Sequence, residues 1–206
     1  MKDPDKLAII ILAAGASRRL GQPKQLVRYQ GEPLLQRVAK ECLESELGDV
    51  HVILGHKADQ MQLVLEDLSG LEIAINPKWE LGMGESIAFS ARQILIPNNY
   101  RAAFFVLTDQ IYFSKEVLSH LIELAGSTKK GIVISKYQEG KGPPSFFEKR
   151  FFLELAKLQG DSGGKSIIAN HPTEVGAISF PKGHYDIDTP NDLKSIRKDN
   201  AVDREN

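Results

Sequence analysis

An apolar run that ends in a glycine-containing basic loop is the feature that most constrains this chain. Residues Leu7–Leu12 carry no polar side chain, which is typical of a strand buried on both faces of a sheet. The loop that follows, over residues 12–24, carries Gly15, Gly21, two arginines and Lys24. Glycines let backbone N–H groups approach an oxyanion, and cations complete a cradle for several negative charges. The composition favours a triphosphate over a dinucleotide, and a tight turn with solvated basic residues is the alternative.

Two common phosphate-binding motifs are excluded by their spacing. A P-loop needs Gly, four residues and then Gly-Lys-Ser/Thr. Gly164-Lys165-Ser166 comes nearest, but Gln159 stands where the first glycine would be. The dinucleotide motif G-x-G-x-x-G fails as well, because the glycine that follows Gly15 is Gly21.

Apolar runs alternate with helical periodicities along the chain. Strands are predicted over Leu7–Leu12, 50–54, Leu71–Ile75, Ala102–Leu107, 131–135 and 175–180, and helices over 34–43, 59–68, 86–95, 115–125, 151–158 and 192–197. This order predicts an α/β fold with three layers, α/β/α, around a mostly parallel Rossmann-like sheet. We expect a single domain over residues 1–198 and a disordered polar tail over 199–206.

Composition narrows the function classes. The chain has 206 residues, of which 42% are hydrophobic, and 26 Lys+Arg against 27 Asp+Glu give a net charge of −1. No basic field is available to attract nucleic acid, and no stretch is long enough to span a membrane. The charged start and the short apolar run after it predict no signal peptide, so a cytoplasmic protein is expected. The one cysteine, Cys42, is expected to be a small buried hydrophobe, and none of the 5 histidines has a catalytic or metal-ligand spacing.

Two carboxylates are candidates for a metal site. Asp109 directly follows the apolar run Ala102–Leu107, and Asp188 shares one side of an extended segment with Asp186. Mg²⁺ usually takes one or two carboxylates together with substrate phosphates and water, so Asp109 and Asp188 are a plausible pair. The alternative for Asp109 is that it caps the following helix; Thr189 is expected to cap the last one.

The basic loop resembles the signature loop of the MobA-like nucleotidyltransferases. The pattern L-A-A-G-x-S-x-R-x-G-x-P-K matches residues 12–24 without a gap. These enzymes have a fold of the nucleotide-diphospho-sugar transferase type and transfer a nucleoside monophosphate from an NTP. The resemblance implies that the loop binds nucleotide through Leu12, Ala13, Ala14, Gly15, Ser17, Arg18 and Lys24. It also implies that Lys24 stabilises charge at the α-phosphorus and that Arg18 holds the leaving pyrophosphate.

A second segment matches the pattern N-x-x-W-x-x-G-M-x-x-S. Its fixed positions are Asn76, Trp79, Gly82, Met83 and Ser86. In the subgroup that this chain resembles, the segment helps to form the nucleotide site, which implies that Asn76, Gly82, Met83 and Ser86 bind nucleotide. The alternative is a loop in which Ser86 caps a helix and Trp79 and Met83 pack on the core.

The resemblance also bears on the metal and the acceptor. In the family, a strand-end aspartate and a second acidic or amide residue near the C-terminus hold Mg²⁺. Asp109 and Asp188 fall at these positions. Many relatives have a proline two residues after the strand-end aspartate, where this chain has Ile111. Segments G-x-P-x-x-F and G-D-x-G-x-[KR] border the acceptor in relatives, which implies acceptor-side roles for Gly142, Pro144, Phe147, Gly160, Asp161 and Lys165. Many relatives have His at the position of Pro143. The alternative for residues 140–147, which contain the first of these segments, is an ordinary turn.

The sequence L-A-A-G at residues 12–15, together with Pro-Lys-Gln-Leu at residues 23–26, resembles the corresponding segments of the molybdenum cofactor cytidylyltransferases and their purine-catabolism relatives. The resemblance implies transfer of CMP from CTP to the terminal phosphate of molybdopterin, with release of pyrophosphate. The product would serve a molybdoenzyme such as xanthine dehydrogenase, and that enzyme or its chaperone is a candidate partner. Alternatives are GTP as the nucleotide, a sugar- or alditol-phosphate acceptor, and a carrier of molybdenum cofactor without catalysis.

Overall fold

The computed structural model describes residues 6–161, 163–187, 189 and 191–192. The strands are β1 (Leu7–Leu12), β2 (Arg28–Tyr29), β3 (Glu32–Pro33), β4 (Asp49–Leu54), β5 (Leu71–Ile75), β6 (Ala102–Leu107), β7 (Ile132–Lys136), β8 (Lys141–Glu148) and β9 (Val175–Ser179). The α-helices are α1 (Leu34–Glu44), α2 (Ala58–Leu63), α3 (Met83–Ser90), α4 (Lys115–Thr128), α5 (Phe152–Leu155) and α6 (Lys165–Asn170). None of these helices combines the length and apolar character that a membrane crossing requires.

The main sheet runs in the order β5-β4-β1-β6-β8-β7-β9. Strand β1 pairs in parallel with β4 and β6, β4 with β5, and β7 with β9. Strand β8 is antiparallel to both of its neighbours, β6 and β7. The predicted mostly parallel sheet is therefore confirmed. The chain winds outward from β1 to β5 and then returns to β6 on the other side of β1, so the order reverses between β1 and β6. A crevice forms at such a reversal, beyond the carboxyl ends of the strands.

Both faces of the sheet are covered, which explains the apolar character of its central strands. Ile9 and Ile11 of β1 point to a core shared with α1, α2 and α4, whereas Ile10 points to a core shared with α3 and α5. This split follows from the alternation of side chains along a strand. The predicted three-layer arrangement is confirmed. Cys42 is buried in the first core as expected, and burial raises the pKa of its thiol.

A small hydrophobic cluster ties the signature loop to distant parts of the chain. Its members are Leu20, Val27, Tyr29, Leu34, Ile111 and Ile187. Leu20 belongs to the basic loop, while Ile111 follows the end of β6. The isoleucine that replaces the family's proline therefore serves as a packing residue here.

Strand β8 corrects the sequence prediction. Residues 140–147 are compatible with an ordinary turn, because a Gly-Pro-Pro sequence argues against a central strand. The structure instead inserts β8 between β6 and β7. Pro143 and Pro144 are tolerated because the pairing with β7 is irregular between Val133 and Ser135, and the pairing with β6 does not extend past Ser145. The two missing N–H groups therefore fall outside the regular ladder.

Several helix boundaries also differ from the prediction. Helix α2 ends at Leu63 rather than at residue 68, and the segment predicted over 86–95 begins at Met83 and ends in a π-helical turn over Ala91–Leu95. Helix α6 was not predicted, because glycines and a His-Pro pair flank a short apolar pattern. Thr189 and Asp192 exchange two hydrogen bonds, which supports the predicted cap. The rest of the helix predicted over 192–197 and the tail over 199–206 lie outside the described residues.

Candidate active site

A cleft of about 330 Å³ lies at the carboxyl ends of β1 and β6, where the strand order reverses. We call it the nucleotide cleft. It is lined by Leu12, Ala14, Gly15, Ala16, Arg18, Lys24, Gln25, Trp79, Glu80, Gly82, Met83, Ser86, Leu107, Thr108, Asp109 and Asp161. The structure thus brings together most of the predicted nucleotide-binding residues with Asp109. Ala13 is buried outside the lining, and Ser17 borders a neighbouring cleft instead.

An ion pair between Lys24 and Asp109 joins the signature loop to the end of β6. Lys24 Nζ donates to Asp109 Oδ2. Asp109 is only 4% exposed, and among the described residues its other oxygen, Oδ1, has no hydrogen-bond partner. Burying a carboxylate costs free energy unless a cation or strong donors face it, and Lys24 supplies that cation. Ser114 rather than Asp109 stands at the N-terminus of α4, so the capping alternative for Asp109 is wrong.

Gln25, a residue that sequence reasoning did not single out, holds the signature loop in shape. Its side chain is buried, and Nε2 donates to the carbonyl oxygens of Ala13 (2.8 Å) and Gly15 (2.9 Å). In a trans peptide the C=O and the following N–H point in opposite directions. The N–H groups of Ala14 and Ala16 therefore point away from Gln25.

The same loop is braced further along by Ser17. This residue adopts a left-handed conformation with φ of 51°, and its Oγ accepts a hydrogen bond from the backbone N–H of Lys24 at 3.1 Å. The hydroxyl fixes the backbone at Lys24 and does not line the nucleotide cleft. Ser17 thus supports the position of the lysine that pairs with Asp109.

The opposite wall of the nucleotide cleft comes from the segment between β5 and α3. Trp79, Gly82, Met83 and Ser86 line it, but Asn76 does not. Asn76 is fully buried; its Nδ2 donates to Ser86 Oγ at 3.2 Å, and its Oδ1 accepts from the N–H of Lys78 at 2.9 Å. Asn76 therefore joins the end of β5 to α3. Ser86 lies inside α3 and does not cap it, so the capping alternative is wrong.

The alternative interpretation of this segment predicts that Trp79 and Met83 pack on the core. Neither residue belongs to the two hydrophobic cores that cover the sheet. Trp79 packs against Gly55, and its ring lies 5.1 Å from that of His56. Met83 is 40% exposed and lies between the nucleotide cleft and a second cavity. Both side chains are therefore available to a ligand.

The second cavity is larger, at about 760 Å³, and we call it the acceptor cavity after the role that the sequence predicts for residues of its lining. Apolar side chains form much of its lining: Leu12, Met83, Ile87, Phe105, Leu107, Ile134, Phe147, Leu155 and Ile168. Lys141, Lys165, Asp161 and Asp186 are its charged residues. Of the predicted acceptor-side residues, Gly142, Phe147, Asp161 and Lys165 line the cavity, whereas Pro144 and Gly160 do not. The Pro144 carbonyl accepts from Ser135 Oγ at 2.8 Å instead.

Two loops in direct backbone contact separate the nucleotide cleft from the acceptor cavity. The N–H of Gly84 donates to the carbonyl of Gly160 at 2.7 Å. A Cβ atom on Gly82 would lie 2.3 Å from Asp161 Oδ1, and one on Gly84 would lie 2.7 Å from the Gln159 carbonyl oxygen. Only glycine permits this approach, and Gly82 also has φ of 102°. Gly160 therefore acts through its backbone at the boundary of the two sites.

Gln110 is a second residue that the sequence analysis did not select. Its side chain is buried at the edge of the acceptor cavity, and the two hydrogens on Nε2 are shared among three acceptors: the carbonyls of Pro143 (2.9 Å) and Gly183 (2.8 Å) and the Tyr137 hydroxyl (3.0 Å). Burial raises the pKa of Tyr137. Gln110 thus connects the end of β6 to β8 and to the chain after β9. The signal that pointed to it was its position directly after Asp109.

The chemistry of Asp109 fits a divalent cation, because Oδ1 is a hard oxygen donor without a protein partner in the described part of the chain. Asp188, the other predicted ligand, lies outside the described residues. Within those residues, no group of three or more His, Cys, Asp or Glu side chains is arranged to hold a metal ion.

Comparison with known proteins decides the family. Residues 9–175 match the sequence profile of the MobA-like NTP transferase domain. The chain belongs to this family. It is 26% identical over 200 residues to the purine catabolism protein PucB of Bacillus subtilis (strain 168), covering 92% of this chain and 95% of PucB.

One further sequence relative and one solved structure are also similar to this chain. Nicotine blue oxidoreductase of Paenarthrobacter nicotinovorans is 37% identical over 189 residues, covering 87% of this chain and 91% of that protein. Rv0371c of Mycobacterium tuberculosis H37Rv has a similar fold, with a TM-score of 0.80 at 24% identity over 94% of this chain and 98% of Rv0371c. Another structure of Rv0371c is a complex with manganese. It has a TM-score of 0.76 at 20% identity, and the match covers 94% of this chain and 98% of that chain. Since one relative bears the name of an oxidoreductase, sequence similarity alone does not define the reaction.

Proposed function

We propose that this MobA-like nucleotidyltransferase transfers CMP from CTP to the terminal phosphate of molybdopterin, with or without bound molybdenum, and releases pyrophosphate. The observation that carries the proposal is the Lys24–Asp109 ion pair in a cleft at the β1–β6 reversal, directly beside a largely apolar cavity. A cation and a buried carboxylate at this point suit a reaction at phosphorus.

The residues of the nucleotide cleft supply positioning and charge neutralisation, which phosphoryl-type transfers need more than covalent catalysis. An oxygen of the acceptor phosphate forms a bond to the α-phosphorus of CTP. The bond from that phosphorus to the bridging oxygen breaks, and pyrophosphate leaves with the electron pair. The acceptor phosphate is already anionic near neutral pH, so the step requires no general base. Lys24 stabilises charge at the α-phosphorus, and Arg18 with the backbone of residues 14–17 holds the leaving group.

Asp109 is the described residue best suited to hold Mg²⁺, and the family resemblance adds Asp188. When bound, Mg²⁺ would neutralise charge on the α- and β-phosphate oxygens. The manganese complex of Rv0371c supports the use of a divalent cation by proteins of this fold. Lys24 shares Asp109 with that site, so the lysine also restrains the carboxylate before substrate binds.

The lining of the acceptor cavity supports a pterin over a sugar or alditol phosphate. Phe105, Phe147 and Ile134 offer apolar surface to a flat ring, while Lys141 and Lys165 offer charge to a phosphate. A polyol would bury hydroxyl groups against these apolar walls, which costs free energy when no hydrogen bond compensates. The choice of CTP follows from the L-A-A-G wording, and the likeness to PucB agrees with the purine-catabolism branch that this wording resembles.

Release of pyrophosphate in a panel of nucleotides and acceptors tests the proposal. The protein with Mg²⁺ is given CTP or GTP together with molybdopterin or a sugar 1-phosphate. We expect release with CTP and molybdopterin, and its loss in Asp109→Asn. A preference for GTP would indicate a guanylyltransferase, and release with the sugar phosphate would indicate the sugar-nucleotide alternative. No release from any nucleotide would favour a carrier.

A further inference from the structure

A third cavity, of about 380 Å³, adjoins the signature loop, and we call it the flanking cleft. It is lined by Ala16, Ser17, Arg18, Gly21, Gln22, Pro23, His56, Lys57, Trp79 and Glu80. Ala16, Arg18, Trp79 and Glu80 also line the nucleotide cleft, so the two spaces are continuous. No sequence motif considered above includes His56 or Lys57.

The charged side chains of the flanking cleft favour an anion. Arg18 and Lys57 line it, and within the described residues neither side chain forms an ion pair or a hydrogen bond. Glu80 is the acidic residue of the lining. Two cations without protein partners beside one carboxylate leave the cleft able to take up a multiply charged oxyanion.

The wall that carries Lys57 is fixed to the signature loop. The N–H of His56 donates to the Ala14 carbonyl at 3.0 Å, and the His56 ring packs against Trp79. A Cβ atom on Gly55 would lie 2.5 Å from Trp79 Cβ and 2.9 Å from the Ala14 carbonyl oxygen, so only glycine permits this packing. The two loops that carry Arg18 and Lys57 are therefore held together beside one cleft.

We propose that Lys57 binds inorganic pyrophosphate, the leaving group, and so extends the binding of that group from the signature loop into the flanking cleft. The inference rests on the proposed nucleotidyl transfer, because that reaction produces pyrophosphate. Arg18 borders both clefts and so contacts the β- and γ-phosphates before and after the bond to the α-phosphorus breaks. Lys57 borders only the flanking cleft, so it acts on the product rather than on the nucleotide moiety.

Direct binding of pyrophosphate tests this site without any acceptor. Calorimetry with pyrophosphate and Mg²⁺ compares the wild type with Lys57→Ala, Lys57→Gln and Lys57→Arg. Loss of one charge-assisted contact should raise the Kd for pyrophosphate about fivefold to tenfold in Lys57→Ala and Lys57→Gln, with recovery in Lys57→Arg. Lys129→Ala is the matched control, since Lys129 is also an exposed lysine with left-handed φ (55°, against 51° for Lys57) but lines none of the three cavities. Its Kd should equal that of the wild type.

An unchanged Kd in Lys57→Ala and Lys57→Gln would overturn the site, and so would an equal rise in Lys129→Ala. Thermal melting of each variant separates loss of binding from loss of folding. The result is distinguishable from failure of the proposed function. A protein that releases no pyrophosphate from any nucleotide, yet binds pyrophosphate through Lys57, would keep the site and contradict the transfer. An active enzyme whose Kd for pyrophosphate is unchanged by the Lys57 substitutions would contradict the site but not the transfer.

Discussion

Lys24 and Asp109 are 85 residues apart in the sequence and meet through their side chains. Neither is informative alone, since an isolated basic residue in a loop or an aspartate after a strand has many uses. Their contact arises because Lys24 begins the turn Lys24–Leu26 after the loop of β1, and Asp109 follows β6, the strand beside β1. The site therefore depends on which strands are neighbours.

Lys24→Met removes the cation and keeps most of the aliphatic stem. We expect kcat to fall about 10²- to 10³-fold, the usual effect of losing one preorganised electrostatic contact, with a smaller change in KM for CTP. Steady-state kinetics with CTP varied at saturating acceptor measures both constants. Lys40→Met is the control, because Lys40 is a lysine of α1 that pairs with Glu32 and lines none of the cavities. Near-normal turnover by Lys24→Met would contradict the assigned role.

At the residue scale, the sequence identified the side chains that match a motif but not those that support them. The signature loop, Asp109 and the Gly82–Met83 pair could all be found from pattern and resemblance. The roles of Gln25 and Gln110 could not be predicted, because each buried amide is held by carbonyl groups that only the folded backbone brings together. Asn76 shows that a residue can match a motif and still have a supporting role. It lies outside the nucleotide cleft and holds α3 in place through a hydrogen bond to Ser86.

Among the secondary-structure elements, the contact between residues 82–84 and 159–161 links the nucleotide cleft to the acceptor cavity. In Gly84→Ala the added Cβ would lie 2.7 Å from the Gln159 carbonyl oxygen, so one loop must shift. We expect KM to rise for both nucleotide and acceptor, and the free energy of unfolding to fall by about 1–3 kcal/mol. Kinetics and chemical denaturation measure these quantities.

Gly126→Ala is the matched control for that substitution. Gly126 lies within α4, and a Cβ there meets no atom within 4 Å. The change should leave both KM values alone and raise stability by up to about 1 kcal/mol, because alanine favours a helix. If Gly84→Ala behaved like Gly126→Ala, the loop contact would have no role in substrate binding.

Element prediction succeeded where one physical signal dominated. The fully apolar runs of β1 and β6 predict central strands, and the structure has them at the predicted bounds. Strand β8 was missed because Pro143 and Pro144 are incompatible with a regular ladder, and the irregular pairing that accommodates them is a tertiary feature. Local propensity has no access to such a feature.

Across the molecule from the site, toward the amino ends of the strands, the buried side chains of His51 and Tyr100 belong to a polar network whose charged members are exposed. His51 Nε2 contacts the Tyr100 hydroxyl at 2.8 Å, and that hydroxyl donates to Asp49, which also pairs with Lys6. Glu72 lies 3.3 Å from His51 Nδ1. Burial lowers the pKa of His51 and outweighs the attraction of the two carboxylates.

This network predicts a pH dependence of stability. Below the ordinary histidine pKa of 6.5 the unfolded chain binds a proton that the folded chain resists, so the free energy of unfolding should fall as pH drops through that value. Urea unfolding at about pH 8 and at about pH 5.5 measures the difference. His51→Gln removes the titrating group and should show a smaller loss. Equal losses in both proteins would mean that His51 is not responsible.

The most direct test of the proposed transfer is to follow the α-phosphorus of CTP. The protein is incubated with Mg²⁺, molybdopterin and CTP labelled at the α-phosphorus, and the products are separated. Our account predicts that the label joins the pterin in a CMP-linked product, in equal amount to the pyrophosphate released, and that Lys24→Met and Asp109→Asn suppress both. Label that stays in CTP, or that appears as free CMP with the pterin unchanged, would contradict it.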